Sequence, residues 1–467
     1  MVPRKGTSKI LFSIYLMRKT FRVWSVGGRI RYQVSQRNLV SGLFAVVLLT
    51  ACANATPSPS ALPAAPNDAP ITLTVWHAQT GVAETTLNSL FADFHQAYPT
   101  ITVSAQTRTS EGDLLRQGIA GMAMNQLPDV MIASQRTIVE FAQKEVLVSL
   151  DPLASDPALG FSDQARADFL PGLIDAARFP SLKNQLFAFP FDAHAVVLYS
   201  NSDALKSAKL AIPKSWDDFA QAARATTRGD TRGWVMTPDA MMFYAMVFSR
   251  GGNIVNDTQT QVQFNDNSGI QSLQLIATLT KGDAAYLASS STRASADFAQ
   301  GKAVFVFGTD EDLAIIADAM NANKSTFQWG MANIPQSDSA NPITAVFGAN
   351  IAIFKSTSER QRAAWLLTRL LAAPEQTARW ARTTMAMPVR TSAFPLLIDP
   401  GTPNPLLKRL NDGIVANLPT IRASPSVRDA AQIDTAVVEM WMAVASGIDP
   451  GTAMNRAVTR ANRILNP

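Results

Sequence analysis

The feature that most constrains this chain is an alternation of short β-branched, apolar runs with longer helical patterns. Residues 71–75 and 101–103 have strand-like sequences, and the continuously apolar segment 129–132 predicts a third strand, covered on both faces. Between these strands, residues 82–97 and 111–124 carry apolar side chains at helical spacing. Strand–helix alternation of this kind predicts an α/β lobe with parallel strands.

The later segments add further strand patterns and then become mostly helical. Strand-like sequence occurs at 186–199, 304–307 and 343–354, and Ser215 begins a helix-capping pattern. Further helices are expected at 238–249, 268–280, 293–300, 310–320, 358–372, 374–384, 426–446 and 450–464. The length of 467 residues allows more than one hydrophobic core, and the pattern favours two α/β lobes. An apolar content of 47% with only 16% charged residues excludes a disordered chain.

The N-terminal segment 1–51 is predicted to be a secretory signal. It holds nine basic side chains and no Asp or Glu, and it ends in the apolar run 39–51. That run has 13 residues, whereas a membrane span needs about 20, and a basic flank before a short apolar core is typical of export signals. Subtracting the nine positive charges from the formal charge of +5 leaves −4 for residues 52–467. The basicity therefore belongs to the leader, and we expect no nucleic-acid partner.

The single cysteine of the chain, Cys52, follows the apolar run directly. The sequence Leu49-Thr50-Ala51-Cys52 resembles the lipobox of bacterial lipoproteins. This resemblance implies that the thiol of Cys52 is acylated, that the preceding peptide bond is cut, and that the cysteine becomes the new N-terminus. An ordinary secretory signal with an incidental cysteine is the alternative. One cysteine also excludes an internal disulfide and a cysteine-rich zinc site.

Residues 52–70 are predicted to be a tether between the lipid and a folded body that starts at residue 71. The stretch is rich in Pro, Ala and Ser, and its five prolines favour an extended, semi-rigid spacer. No later segment has the length and apolar character of a membrane span. We therefore expect a lipid-anchored protein on the extracytoplasmic side of the cell membrane.

The sequence carries no local signature of catalysis or of a metal site. The three histidines, His77, His95 and His194, are too far apart for a local metal motif. No nucleophile elbow, phosphate-binding loop or dinucleotide-binding loop is found. We expect no enzymatic activity, no cofactor and no metal. A hydrolase that uses His194 as its base is the remote alternative, because catalytic triads assemble from distant positions.

Short segments in a fixed order point to one protein family. They are 73–81, 91–94, 98–99, 127–130, 189–190, 198–201, 213–219, 251–252, 298–303 and 388–390. In these segments the chain resembles the extracellular solute-binding proteins of bacterial ABC importers, in the branch of carbohydrate and glycerol-3-phosphate binders. The resemblance extends over essentially all of 71–467. Segments 417–422 and 457–465 are most similar to the glycerol-3-phosphate-binding branch.

The resemblance implies a periplasmic-binding-protein-like fold, in which two α/β lobes are joined by hinge strands with a ligand cleft between them. Crossings between the lobes are implied near 190–192, 301–305 and 345–347. In the family, the hinge closes the lobes around the ligand, and the closed form docks on the permease subunits. The implied division assigns 71–190 with 302–345 to lobe one and 191–301 with 346–467 to lobe two.

Candidate ligand-binding residues follow from the places where the resemblance puts the cleft. Ligands in such clefts lie at strand ends and helix N-termini, and glycine lets the backbone approach closely. Trp76 and Trp234 offer a ring face for a sugar. The alternatives are a buried structural role for His194, a helix cap for Asp239 and a hinge contact for Arg390. The candidates are Trp76, His77, Gln79, Thr80, Gln135, Arg136, Asp192, His194, Trp234, Asp239, Gly348, Asn350 and Arg390.

The sequence therefore predicts a lipid-anchored substrate-binding subunit of an ABC importer for a sugar or oligosaccharide. Its expected partners are this small solute, the permease subunits and the membrane. A glycerol-3-phosphate or glycerophosphodiester binder is the alternative. A phosphate ligand favours arginine or a helix N-terminus, and only Arg136 and Arg390 stand near candidate positions. This scarcity of arginine weakens the phosphate alternative.

Overall fold

The computed structural model describes residues 69–398, 401, 404–414, 418–427 and 429–466. By its contacts the chain separates into the units Met1–Leu62 and Pro63–Pro467, and every described residue belongs to the second. The expected signal segment, Cys52 and nearly all of the tether lie outside the described residues. In the described part, no helix is long and apolar enough to cross a membrane.

Strands and helices alternate through most of the described chain, as the sequence predicts. The strands are β1 (Ile71–His77), β2 (Ile101–Thr107), β3 (Val130–Ser134), β4 (Arg178–Phe179), β5 (Gln185–Leu186), β6 (Phe189–Pro190), β7 (His194–Asn201), β8 (Arg232–Met236), β9 (Ala285–Leu287), β10 (Ala303–Thr309), β11 (Trp329–Asn333), β12 (Ile343–Phe347), β13 (Ala349–Ile353) and β14 (Thr420–Ala423). The helices are α1 (Gly81–Ala97), α2 (Glu111–Met124), α3 (Gln135–Ala142), α4 (Asp151–Ser155), α5 (Asp163–Ala167), α6 (Leu173–Ala176), α7 (Ser202–Ser207), α8 (Trp216–Thr226), α9 (Ala240–Phe248), α10 (Asn267–Lys281), α11 (Ser291–Ala299), α12 (Asp312–Ala322), α13 (Ser358–Leu371), α14 (Pro374–Thr384), α15 (Pro405–Gly413), α16 (Ala430–Ala445) and α17 (Pro450–Leu465). Short 3-10 turns occur at Pro180–Leu182 and Thr391–Leu396.

The first sheet has the strand order β2-β1-β3-β13-β6. Strands β2 and β3 run parallel to β1, whereas β13 is antiparallel to both β3 and β6. The first four residues of β3 are buried, because helices cover both faces of a sheet built from parallel crossovers. The predicted parallel α/β lobe is therefore confirmed.

The second sheet has the order β14-β12-β7-β10-β8-β9, and β11 also pairs with β7. Strand β10 runs parallel to β8 and antiparallel to β7. All eight residues of β7 are buried, since this strand has β10 on one side and β11 and β12 on the other. We call the first sheet with the helices packed on it the first lobe, and the second sheet with its helices the second lobe.

Among the described strands, the chain crosses between the sheets from β6 to β7, from β12 to β13, and again between β13 and β14. The first two of these crossings fall next to the expected ones near 190–192 and 345–347. The expected crossing near 301–305 is wrong, and so is the assignment of 302–345 to lobe one. Strands β10, β11 and β12 belong to the second sheet because the apolar strand β10 finds its buried partners in β7 and β8. The assignment of all of 346–467 to lobe two is also wrong, because β13 lies in the first sheet and helices α13 and α14 pack against β1 and α1. Residues 349–353 and 358–384 belong to the first lobe.

Candidate functional site

A cleft of about 1440 Å³ is lined by residues of both lobes. The first lobe contributes the start of α2 and the turn from β3 into α3. The second lobe contributes the segments that follow β8, β9 and β10, the turn after β12 and the start of α16. The carboxyl ends of strands and the N-termini of helices are the usual ligand positions in open α/β sheets.

The first-lobe wall is built around the N-terminus of α3. The Ser134 hydroxyl caps this helix by accepting a hydrogen bond from the Thr137 amide at 3.4 Å. The Glu111 carboxylate accepts hydrogen bonds from the Thr137 hydroxyl at 2.8 Å and from the Ser134 amide at 3.2 Å. These bonds fix the first turn of α3, which places Gln135 and Arg136 half-buried in the wall of the cleft.

The second-lobe wall carries hydroxyl groups and a capped helix. Asp239 caps α9 by accepting hydrogen bonds from the amides of Met241 at 2.7 Å and Met242 at 3.1 Å. The thioethers of both methionines line the cleft beside this cap. The hydroxyl groups follow strands β8 and β9 and begin helix α11. They belong to Thr237, Ser289, Ser290, Ser291 and Ser295.

Two aromatic rings and two glycines line the cleft near the crossing from β12 to β13. The rings are those of Phe307 and Phe347, and Gly348 continues the wall. A Cβ atom at Gly348 would lie 2.3 Å from the carbonyl oxygen of Asp192, so only glycine fits this position. At Gly308 a Cβ atom would likewise lie 2.6 Å from a carboxylate oxygen of Asp312. At Gly348 the two crossing segments are therefore in close backbone contact beside the cleft.

An ion pair joins the two walls. A guanidinium nitrogen of Arg136 contacts a carboxylate oxygen of Asp434 in α16. Another guanidinium nitrogen of Arg136 lies 3.2 Å from the sulfur of Met241. The Tyr244 hydroxyl donates a hydrogen bond to the other Asp434 oxygen at 2.7 Å. Burial raises the pKa of Asp434, while Arg136 opposes that rise. The pair links α3 of the first lobe to α16 of the second.

Three buried charged side chains lie beside the cleft where the chain crosses from β6 to β7. His194 Nδ1 lies 3.6 Å from an Asp310 oxygen, and Nε2 lies 3.9 Å from an Asp192 oxygen. The other carboxylate oxygen of Asp310 accepts a hydrogen bond from the Ala195 amide at 2.6 Å, and that of Asp192 accepts one from the Ala349 amide at 2.5 Å. Burial alone would lower the pKa of His194, but the carboxylates outweigh it and raise this pKa to about 10. We call Asp192, His194 and Asp310 the hinge triad.

The structure brings four of the predicted site residues into the cleft: Gln135, Arg136, Asp239 and Gly348. Asp192 and His194 do not line it, although the His194 ring centroid lies 5.5 Å from that of the lining residue Phe347. The four residues that line the cleft come from both lobes, as the sequence predicts for a shared site.

The loop after β1 does not line this cleft. Trp76 lines a separate cavity of about 460 Å³, where the Arg108 guanidinium lies 4.1 Å from its ring centroid. His77 is fully buried at the end of β1, and burial lowers its pKa. Thr80 is the exposed N-cap residue of α1, and Gln79 before it is half-buried. Trp76 and His77 therefore pack inside the first lobe, and Thr80 occupies the N-cap position of α1 without a side-chain capping hydrogen bond.

Three other candidates are buried outside the cleft. Trp234 packs in an aromatic cluster, with its ring 5.4 Å from that of Phe307. The Asn350 amide donates a hydrogen bond to the Gly348 carbonyl at 3.2 Å. Arg390 donates to two backbone carbonyls at 2.5 and 2.8 Å and lies over a phenylalanine ring of the first lobe. Each of these side chains is engaged in internal contacts.

Sequence reasoning missed most of the second-lobe wall. Strands β8 and β9 were not predicted, so the hydroxyl groups that follow them had no assigned place. The polar run 289–292 directly after the short apolar segment 284–288 is the signal that marks the end of β9. Asp434 and Tyr244 carry no local signal, because long-range packing alone brings them to Arg136.

The lining of the cleft is mixed in chemistry. It combines hydroxyls, carboxylates, two amides and one guanidinium with aromatic and thioether surface. Among the described residues, no group of three or more His, Cys, Asp or Glu side chains is placed to hold a metal ion. A concave site with apolar walls and a few oriented polar groups is typical of small-molecule recognition.

The two-lobed α/β fold with a cleft between the lobes defines a class of proteins that bind small solutes. The family model of bacterial extracellular solute-binding proteins matches residues 89–407. This chain belongs to that family, whose members capture substrates outside the cytoplasm for ABC importers.

Similar proteins include binders of glycerol phosphate and of sugars. The sn-glycerol-3-phosphate-binding periplasmic protein UgpB of Rhizobium meliloti (strain 1021) is 24% identical over 417 residues, which cover 84% of this chain and 93% of UgpB. The sugar-binding protein MalE of Xanthomonas citri has a TM-score of 0.73 at 22% identity, covering 85% of this chain and 97% of MalE. UgpB of Mycobacterium tuberculosis, solved with glycerophosphocholine, has a TM-score of 0.66 at 20% identity, covering 86% of this chain and 99% of that UgpB. These structures confirm the predicted two-lobe fold.

Proposed function

We propose that this protein is the lipid-anchored substrate-binding subunit of an ABC importer and captures a sugar or oligosaccharide. The lining of the cleft carries this proposal. Hydroxyl groups after β8 and β9, the Gln135 amide and the Asp239 carboxylate line the same cleft as the rings of Phe307 and Phe347. A sugar presents hydroxyls that need donors and acceptors, and a C–H face that packs on a ring. The cleft offers both kinds of surface.

Capture is proposed to occur by closure of the lobes around the crossing segments 191–193 and 347–349. Gln135 and Arg136 would contact the ligand from the first lobe, and Asp239 and Gly348 from the side of the second. Closure excludes water and completes the hydrogen bonds of the ligand, and the closed form docks on the permease. The protein returns its ligand unchanged, so we assign it no enzymatic activity.

A glycerol-3-phosphate or glycerophosphodiester ligand is the second candidate. The Rhizobium meliloti relative is named for glycerol-3-phosphate, and Arg136 stands in the first turn of α3, where a phosphate would find both a guanidinium and helix amides. Several carboxylates share the cleft with this arginine, and they oppose an anionic ligand. We therefore place the sugar first.

The ligand class is tested by measuring the thermal stability of the purified chain with a panel of sugars and glycerophosphodiesters. A sugar present at 100 times its dissociation constant is expected to stabilise the fold by about 2.7 kcal/mol. Chromatography of the recovered ligand should show it unchanged. A response to a glycerophosphodiester with none to any sugar would establish the second candidate, and turnover would show an enzyme.

The lipid anchor is tested by replacing Cys52 with alanine. The variant should leave the membrane fraction and appear in the extracytoplasmic soluble fraction, because acyl chains contribute about 0.8 kcal/mol per buried methylene. Cell fractionation with immunoblotting measures this change. The control is Thr50→Ser, which keeps a small residue before the cysteine and should stay membrane-bound. Membrane attachment of Cys52→Ala equal to that of the wild type would refute lipidation at this residue.

A further inference from the structure

The ion pair of Arg136 and Asp434 connects side chains of opposite lobes. Arg136 is in the first turn of α3, and Asp434 belongs to α16, which packs on α9 and α10 of the second lobe. Both carboxylate oxygens of Asp434 are engaged, one by Arg136 and the other by the Tyr244 hydroxyl. Side-chain exposure is only 30% for Arg136 and 15% for Asp434, so solvent screens this pair less than a surface pair.

The ion pair of Arg136 and Asp434 determines the net charge that the cleft presents to a ligand. In the part of the lining that the structure describes, Arg136 is the single cationic side chain. Its charge is neutralised by Asp434, so the cleft is left with an excess of negative charge. An anionic ligand would be repelled in a partly desolvated site, where Coulomb interactions are stronger than in water. The lining carboxylates are those of Glu111, Glu140, Asp239, Asp312 and Asp429.

We propose that Asp434 is a specificity-determining residue: it holds the Arg136 guanidinium and thereby excludes phosphate-bearing ligands in favour of uncharged polyhydroxy ligands. This inference rests on the proposed function and separates its two candidate ligands. A phosphate would reach Arg136 only by displacing the carboxylate of Asp434. That carboxylate would then stay largely buried beside Tyr244 without its cation, which is costly. An uncharged ligand leaves the ion pair intact.

The test is the variant Asp434→Asn in the full chain, studied by isothermal titration with inorganic phosphate and with glycerol-3-phosphate. The asparagine oxygen can still accept the hydrogen bond of Tyr244, while the negative charge is lost. Affinity for both anions is expected to rise by about tenfold or more, since Arg136 becomes free to bind them. The matched control is Glu439→Gln, which removes the same charge from an exposed residue of α16 that pairs with Arg460. This control should show no gain.

The double variant Asp434→Asn with Arg136→Met should lose the gain in anion affinity. The inference is overturned if Asp434→Asn gains no anion affinity, or if the wild type binds glycerol-3-phosphate more tightly than any neutral sugar. If Asp434→Asn shows no cooperative thermal transition, Asp434→Ser replaces it in the same titrations. If the wild type binds no sugar, the proposed function is wrong. The comparison of anion affinity between wild type and Asp434→Asn still decides the role of Asp434.

Discussion

Replacement of Asp310 by asparagine is expected to lower the free energy of unfolding by about 3–5 kcal/mol, because breaking a buried ion pair leaves a charge without its partner. Asp310 is fully buried, and its carboxylate faces His194 and accepts the amide hydrogen of Ala195. After the substitution, the His194 imidazolium would retain only Asp192 at 3.9 Å as a close partner. Denaturant unfolding with an unchanged m-value measures the loss.

The loss in Asp310→Asn should also depend on pH. The pKa of His194 lies at about 10 in the folded protein, above its ordinary value of 6.5. A raised pKa stabilises the fold fully below the unfolded value, and this stabilisation disappears as pH rises through the folded value. Burial also raises the pKa of Asp310, and the ion pair is lost in acid once that carboxyl is protonated. Above that acid range, the difference between wild type and variant should be largest below pH 6.5 and shrink as the pH approaches 10.

The control for Asp310→Asn is the same substitution at Asp412, an exposed residue that pairs with Lys408. Surface ion pairs contribute only about 0–1 kcal/mol, so Asp412→Asn should have almost no effect. An Asp310→Asn variant as stable as this control would show that the hinge triad does not stabilise the fold.

Replacement of Gly348 by alanine is expected to lower the free energy of unfolding by about 1–3 kcal/mol, the usual effect of overpacking. The new Cβ atom would lie 2.3 Å from the Asp192 carbonyl oxygen and 2.8 Å from its carboxylate. Because one of these neighbours is backbone, the crossing segment itself must shift. Thermal and denaturant unfolding measure the change.

The matched control is Gly330→Ala in β11, where the nearest atom to the new Cβ is the Ser202 hydroxyl oxygen at 3.8 Å. That distance is an ordinary contact, and alanine carries less unfolded-state entropy than glycine. Gly330→Ala should therefore cost little. Equal losses in the two variants would mean that the close approach at Gly348 is not the cause.

The longer helices were predicted well from the sequence because their signals are local, whereas the short helices α3 to α7 and α15 were not predicted. The spacing of apolar side chains gave the bounds of α2 and α14 correctly. Strand β8 was missed because its residues, 232–236, show no alternation, and its extended state depends on pairing with β9 and β10. The choice of sheet for β10 also depends on partners distant in sequence, which no local pattern specifies.

The candidate site was predictable only where local structure fixes it. Gln135 and Arg136 follow a serine cap at the end of a strand, so their place in the cleft follows from short-range geometry. Arg390 was proposed on sequence position alone, yet its guanidinium lies 4.0 Å from the ring centroid of Phe169 inside the first lobe. Side-chain direction depends on such packing, and a single sequence does not contain that information.

Two connections between the lobes are hydrogen-bonded to each other. The amides of Phe191 and Asp192 donate to the Ala349 carbonyl at 3.0 and 3.2 Å, and the Ala349 amide donates to the Asp192 carboxylate at 2.5 Å. Independent connections would let the lobes shear and twist as well as open. Joined in this way, these two of the three connections between the lobes act as one pivot beside the cleft, which opposes shear between the lobes. The ligand-contacting surfaces of the two lobes therefore return to the same relative position each time the lobes close.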